Sequence, residues 1–167
     1  MKKDNIIDFE KLKQLAKQKE KENKRFAKKL ISKKPKDLDK VVLQLHNKTF
    51  NKIDCLDCAY CCKGLGPRVT EKDIDRISKF LKLTNEKFIN QYLKIDEDKD
   101  YVFSKIPCPF LMDDNYCFIY DVRPKACREY PHTDRKRFYQ VLNLSVKNTF
   151  TCPAVYDIIE GLKEQYK

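Results

Sequence analysis

The chain has 167 residues, enough for one domain with an appendage, but only 41% are hydrophobic, 37% are charged and there is no Trp, which predicts a thin apolar core. Its formal charge of +11 is uneven: residues 1–50 hold sixteen Lys and Arg against seven Asp and Glu, whereas the other 117 hold twenty against eighteen. The basic excess therefore belongs to an N-terminal arm, which weighs against a nucleic-acid-binding domain in the rest of the chain and reads in the arm itself as a solvated, mixed-charge helix.

Met1–Glu10 is interrupted by charge and lacks an apolar run of signal-peptide length. No later stretch has the length and apolarity of a membrane span. The expectation is a cytoplasmic protein whose eight cysteines stay reduced rather than pairing into four disulfides.

A helix is predicted over 6–31, where Phe9, Leu12 and Ala16 begin an apolar stripe that Phe26 and Leu30 resume. Lys19 and Asn23 interrupt that line, so the helix is expected to pack weakly before Lys33-Lys34-Pro35 ends it. The chain then divides into a basic arm, 1–35, and a cysteine domain, 36–167. A second helix is expected over 37–46, with Leu38, Val41, Val42 and Leu45 on one face and His46, read as a capping or exposed residue, near its end.

Next come four thiols in eight positions, Cys55-x2-Cys58-x2-Cys61-Cys62. Thiolate is a soft ligand suited to zinc, copper(I) and iron–sulfur clusters, and cysteines spaced two apart in a tight turn converge on one centre. On a helix Cys55, Cys58 and Cys62 would share a face. Adjacent side chains diverge in regular structure, so Cys61 and Cys62 are not expected on one metal. With Cys108, Cys117, Cys127 and Cys152 the thiols number eight, the requirement of two four-thiolate sites, or of one cluster and one such site.

Gly64 and Gly66 offer close backbone approach, but Val69 stands where a phosphate-binding glycine loop needs a third glycine. Thr70-x2-Asp73 resembles a capping box ahead of a helix carrying Ile74, Ile77 and Leu81, and Thr84 caps another with Phe88, Ile89, Tyr92 and Leu93 inward. An acidic turn at 96–100 leads into Tyr101-Val102-Phe103, which has strand character. A hairpin is predicted where Phe110-Leu111-Met112 and Tyr116–Tyr120 flank Asp113-Asp114-Asn115, with Cys108 and Cys117 near its two arms. Arg123–Pro131 forms a helical turn bounded by prolines, residues 137–150 fit helix or strand, and Pro153 starts a last helix carrying Val155, Ile158, Ile159 and Leu162 inward.

The Cys55–Cys62 run, Cys108-Pro109-Phe110-Leu111, Cys117-x-Ile119-Tyr120 and Arg123-Pro124-x2-Cys127-Arg128-x-Tyr130-Pro131 together resemble the CxxCxxCC family over residues 50–153. The resemblance implies a zinc- or iron-chelating domain of bacterial and archaeal cysteine-cluster proteins, with Cys55, Cys58, Cys61, Cys62, Cys108, Cys117, Cys127 and Cys152 as ligands. Flagellin lysine methylases resemble the same family through a cysteine cluster, which implies an iron–sulfur centre there. Cysteines alone do not carry methyl transfer to this chain.

Eight thiolates on two divalent ions leave a charge of about −4, so Arg123 and Arg128, flanking Cys127, are assigned to neutralise sulfur and donate hydrogen bonds to it, with Lys63 and Arg68 as further candidates. No Cys-x2-Cys-His, catalytic triad or nucleotide loop occurs; His132 is the one other acid or base beside the cysteines. The reading is an α+β, mainly helical small domain with a short β-hairpin, organised around a cysteine metal centre that holds zinc or iron ions or an iron–sulfur cluster. Two alternatives stay open: an iron–sulfur enzyme of redox or group-transfer type with a protein or electron-transfer partner, and a zinc-stapled module that binds nucleic acid through the arm.

Overall fold

The computed structural model describes residues 8–167. Ile6 and Ile7 of the first predicted helix, and residues 1–7 of the segment read for a signal sequence, lie outside the described residues. In chain order the helices are α1 (Phe9–Lys33), α2 (Leu38–Phe50), α3 (Cys55–Cys58), α4 (Tyr60–Gly64), α5 (Glu71–Phe80), α6 (Asn85–Tyr92), α7 (Lys125–Glu129), α8 (Leu142–Asn148) and α9 (Pro153–Gln165). The strands β1 (Leu93–Ile95) and β2 (Tyr101–Phe103) fall between α6 and α7. Two compact units result, one built from the chain up to Cys58 together with Pro131–Lys167, the other from Ala59–Tyr130.

In the first unit Asp8 starts α1 by accepting the N–H groups of Glu10 and Lys11 at 3.0 and 3.2 Å, and Lys34 ends it in the left-handed region ahead of Pro35. Leu12, Ala16, Ala27 and Leu30 are buried, and Asn23 is buried with them. The helix is thus packed along its length, more firmly than an interrupted stripe implies. Lys19 turns to Glu22 at 3.2 Å on the outside, and Asn23 goes inward with the apolar residues. α1 lies against α8 and α9, and α2 against α9. Asp39 of α2 accepts the N–H groups of Arg137 and Phe138 at 2.7 and 2.9 Å, fixing the start of a segment that resolves into a 3-10 turn, Phe138–Gln140, followed by α8. Pro153 opens α9 as expected, and Val155, Ile158, Ile159 and Leu162 face the core.

In the second unit Thr70 and Asp73 form the full capping box of α5, and Thr84 caps α6 by accepting the Lys87 N–H at 3.2 Å. α6 stops at Tyr92, so Leu93, expected on its inner face, instead opens β1 and pairs with Phe103 in an antiparallel hairpin. Val69 donates to the Tyr101 carbonyl at 2.7 Å alongside. The predicted hairpin over 110–120 is reduced to one bridge, Leu111 with Cys117, supported by Met112 N–H to Tyr116 and Phe118 N–H to Phe110, each 2.8 Å. Its turn falls at the expected triplet, with Asn115 at φ 67° and Asp114 accepting the Tyr116 N–H at 2.9 Å. Ile77, Phe88, Phe103, Phe110 and Ile119 make the core. Phe110 stands among three other aromatic rings, 4.8 Å from Tyr92, 5.5 Å from Phe103 and 6.4 Å from Phe88. That anchors the turn beginning at Cys108.

Candidate metal centre

The cysteine run is two short helical turns rather than one helix. α3 carries Cys55 and Cys58, α4 carries Cys61 and Cys62, and between them Ala59 adopts φ 52°. The single helical face expected to align Cys55, Cys58 and Cys62 therefore does not exist. A left-handed conformation costs a residue with a Cβ roughly 1–2 kcal/mol. Among the described residues no glycine has positive φ, and the left-handed position in this stretch is Ala59. The expected divergence of neighbours is also absent: the sulfurs of Cys61 and Cys62 are 4.0 Å apart.

Within Ala59–Tyr130 the backbone gathers the later cysteines onto Cys62. The Cys108 N–H donates to the Cys62 carbonyl at 2.8 Å, and the Leu111 N–H donates to the Cys108 carbonyl at 3.0 Å. Leu111 bridges Cys117, whose carbonyl accepts the Tyr120 N–H at 3.0 Å. Four thiols from three segments and α7 thus share an electrostatic neighbourhood: burial pushes the Cys127 thiol up to about 12, and negative charge on Cys62, Cys108 or Cys117 pushes it the same way. Cys108 rises to about 11 and Cys117 also rises, both chiefly through burial. Cys62 is the exception. A hydrogen bond from Cys61 holds it down at about 7, with help from Lys63 and against its own burial.

The other three thiols lie in the first unit. Cys152 precedes α9, and burial pushes it up to about 12, with charge on Cys55 and Cys58 adding in the same direction. Cys152 and Cys58 are buried; Cys55 is exposed.

Both Cys-Pro pairs build the same local device. The Phe110 amide favours the Cys108 thiolate, with the Leu111 amide, bonded to the Cys108 carbonyl at 3.0 Å, adding less, and the amides of Val155 and Ala154 favour the Cys152 thiolate. Proline has no N–H and bends the chain after cysteine, so the second and third amides point back at sulfur. Cys117 receives one such bond, from Ile119. Amides aimed at sulfur stabilise the thiolate, the form that ligates metal. Among the described residues none of the eight cysteines is in a disulfide, and a donor set of soft thiolates fits zinc or iron. Among the described residues no three His, Cys, Asp or Glu side chains are drawn together as closely as an ion holds its ligands.

Arg123 lies with its guanidinium 3.8 Å over the Tyr120 ring, donates to the Tyr120 carbonyl at 2.6 Å, and draws down both Cys117 and Cys127 against their burial. Arg128 is exposed. Arg68 pairs with Asp100 at 3.0 Å in the acidic turn. His46 is half-buried rather than free in solvent, its Nδ1 2.8 Å from the Thr133 hydroxyl, and burial lowers its pKa. His132 sits at φ 66°.

One positioning residue, Asp73, carried only a capping signal in the sequence. Its carboxylate also accepts Arg76 at 2.7 Å and the Lys125 N–H at 3.0 Å, while Arg76 donates to the carbonyls of Val122 and Arg123 at 3.3 and 2.9 Å. α5 thereby fixes the loop that presents Arg123 and leads into Cys127.

No solved structure matches this chain. A protein of Methanocaldococcus jannaschii, described only as uncharacterized, is 35% identical over 89 residues, covering 50% of this chain and 46% of its own length. The chain thus spans about half of that curated relative. Residues 54–151 match the family described as "Putative zinc- or iron-chelating domain" and named for its cysteines. That match covers the Cys55–Cys62 run, the Cys108 turn and Cys127, and on it the chain belongs to the CxxCxxCC family.

Proposed function

We propose that this protein chelates zinc or iron through up to eight cysteine thiolates, and that the bound metal is part of what holds the cysteine segments folded. The observation that carries this reading is the repeated Cys-Pro turn, in which the backbone amides that follow favour the thiolate of Cys108 and that of Cys152. Cysteines kept only for packing have no use for such donors, whereas metal thiolates do. Bound zinc or iron would supply a positive charge that offsets the buried sulfurs and cross-links segments distant in sequence. Arg123 adds a fixed cation beside Cys117 and Cys127.

The setting proposed for such a chelate is reducing and cytoplasmic, where thiols stay available to metal. Among the described residues no helix is long and apolar enough to cross a membrane. In the basic segment Lys13, Lys17, Lys19 and Lys24 are each within 3.2 Å of a glutamate of the same helix, which supports a mixed-charge helix face over a nucleic-acid surface.

Elemental analysis with an absorption spectrum, on protein purified without oxygen, tests the reading. Colourless protein with about two zinc ions per chain supports closed thiolate sites. Brown protein with iron and acid-labile sulfide supports a cluster and a redox or group-transfer role. Protein that carries neither, and takes up neither after reduction, contradicts chelation.

A further inference from the structure

If the cysteines chelate metal, the fold also says which of them act together. The Cys62 carbonyl is bonded to the Cys108 amide at 2.8 Å, the Cys108 turn is closed by Leu111 at 3.0 Å, and Leu111 bridges Cys117. Cys127 reaches the same neighbourhood on α7, whose first N–H is held by Asp73 at 3.0 Å. All of these lie within Ala59–Tyr130. Cys55 and Cys58 on α3 and Cys152 at the start of α9 lie in the other unit.

We infer that seven of the eight cysteines serve two metal centres rather than one polynuclear cluster: Cys62, Cys108, Cys117 and Cys127 close a four-thiolate centre, and Cys55, Cys58 and Cys152 are the thiolate set of a second. Each centre contains one Cys-Pro turn, at Cys108 in the first and at Cys152 in the second. Charge on Cys62, Cys108 and Cys117 acts on Cys127, and charge on Cys55 and Cys58 acts on Cys152. Cys61 adjoins the first centre through Cys62, 4.0 Å away. The first centre is complete in protein thiols; the second leaves one tetrahedral position to a donor outside Cys55, Cys58 and Cys152. The two centres therefore differ in affinity for the same ion.

The test uses the full chain, reduced, metal-free and without oxygen, titrated with zinc(II) while alkylation of each cysteine is read by mass spectrometry. Protection of Cys62, Cys108, Cys117 and Cys127 is expected to follow one curve, and protection of Cys55, Cys58 and Cys152 another. Cys127→Ser, checked for wild-type helical circular dichroism, is expected to raise at least tenfold the zinc needed to protect Cys62, Cys108 and Cys117, and to leave the curve of Cys55, Cys58 and Cys152 in place. A single wild-type curve for all seven, or a member of the first set following the second, overturns the division. So does an equal shift of both sets in the folded variant. If zinc protects no cysteine of the wild-type chain, the failure lies in the chelation reading itself.

Discussion

The backbone N–H of Lys125 donates to the carboxylate of Asp73 at 3.0 Å across 52 residues of sequence. Asp73 is 1% exposed, and the same carboxylate accepts the Thr70 amide at 2.9 Å, the Thr70 hydroxyl at 2.7 Å and Arg76 at 2.7 Å. A helix cap and the loop leading into Cys127 are thus held by one buried charge. Asp73→Ala removes it and leaves the Thr70 and Lys125 amides unpaired, which is expected to cost about 3 kcal/mol in denaturant unfolding of the metal-loaded protein. A cost below about 1 kcal/mol would show that the loop is held elsewhere.

The same carboxyl sets a pH dependence. Burial raises its pKa, but the bonds from Thr70, Arg76 and Lys125 outweigh burial and hold it below the ordinary carboxylate value. A group depressed on folding contributes stability that is fully present above its unfolded pKa, about 4, and is lost as pH falls through the lower folded value. Wild-type protein should therefore lose stability in that acidic window. Asp73→Asn should lack this part of the slope, and identical pH profiles of the two proteins would contradict the assignment.

In the metal-free chain Cys62, held at about 7, should be alkylated first at neutral pH, with half its limiting rate near that value. Cys108, raised to about 11, and Cys127 and Cys152, raised to about 12, should react far more slowly. These three bind metal only by releasing protons, so zinc affinity should rise with pH across the neutral range. Equal alkylation rates at Cys62 and Cys152, measured by mass spectrometry at pH 7, would show that the Cys61 bond and burial do not act as described.

Asn23 is fully buried on α1, and among the described residues neither its side-chain oxygen nor its nitrogen has a hydrogen-bond partner. Leucine has a similar branched shape without the polar atoms. Asn23→Leu is expected to stabilise the first unit by about 1–2 kcal/mol, the cost of an unsatisfied buried amide. Destabilisation in thermal or denaturant melting would mean that the amide is satisfied in solution.

Features set by adjacent residues were legible in the sequence. Thr70 with Asp73, Thr84, and Pro153 after Cys152 each begin the helix they signal, because capping chemistry is local. Asn23 misled because polarity was read as exposure. Ala59 carried no signal for a left-handed turn, since alanine has no chemistry that announces it, and the break it makes removed the shared helical face assigned to Cys55, Cys58 and Cys62. The second role of Asp73 depends on Arg76 and on a loop fifty residues away, a tertiary relationship that spacing does not encode. For the thiols the sequence supplied the donors and their number. Their gathering around Cys62 rests on backbone bonds from Cys108 and Leu111 that only the fold displays.

Native mass spectrometry of the full chain, purified and sprayed without oxygen and then repeated after acid denaturation, tests whether bound metal supports the fold. A native mass above that of the 167-residue chain by bound metal is expected, with the excess lost together with the fold on acidification. A native, folded chain at its metal-free mass, unchanged when zinc or iron is added to the reduced protein, would contradict it.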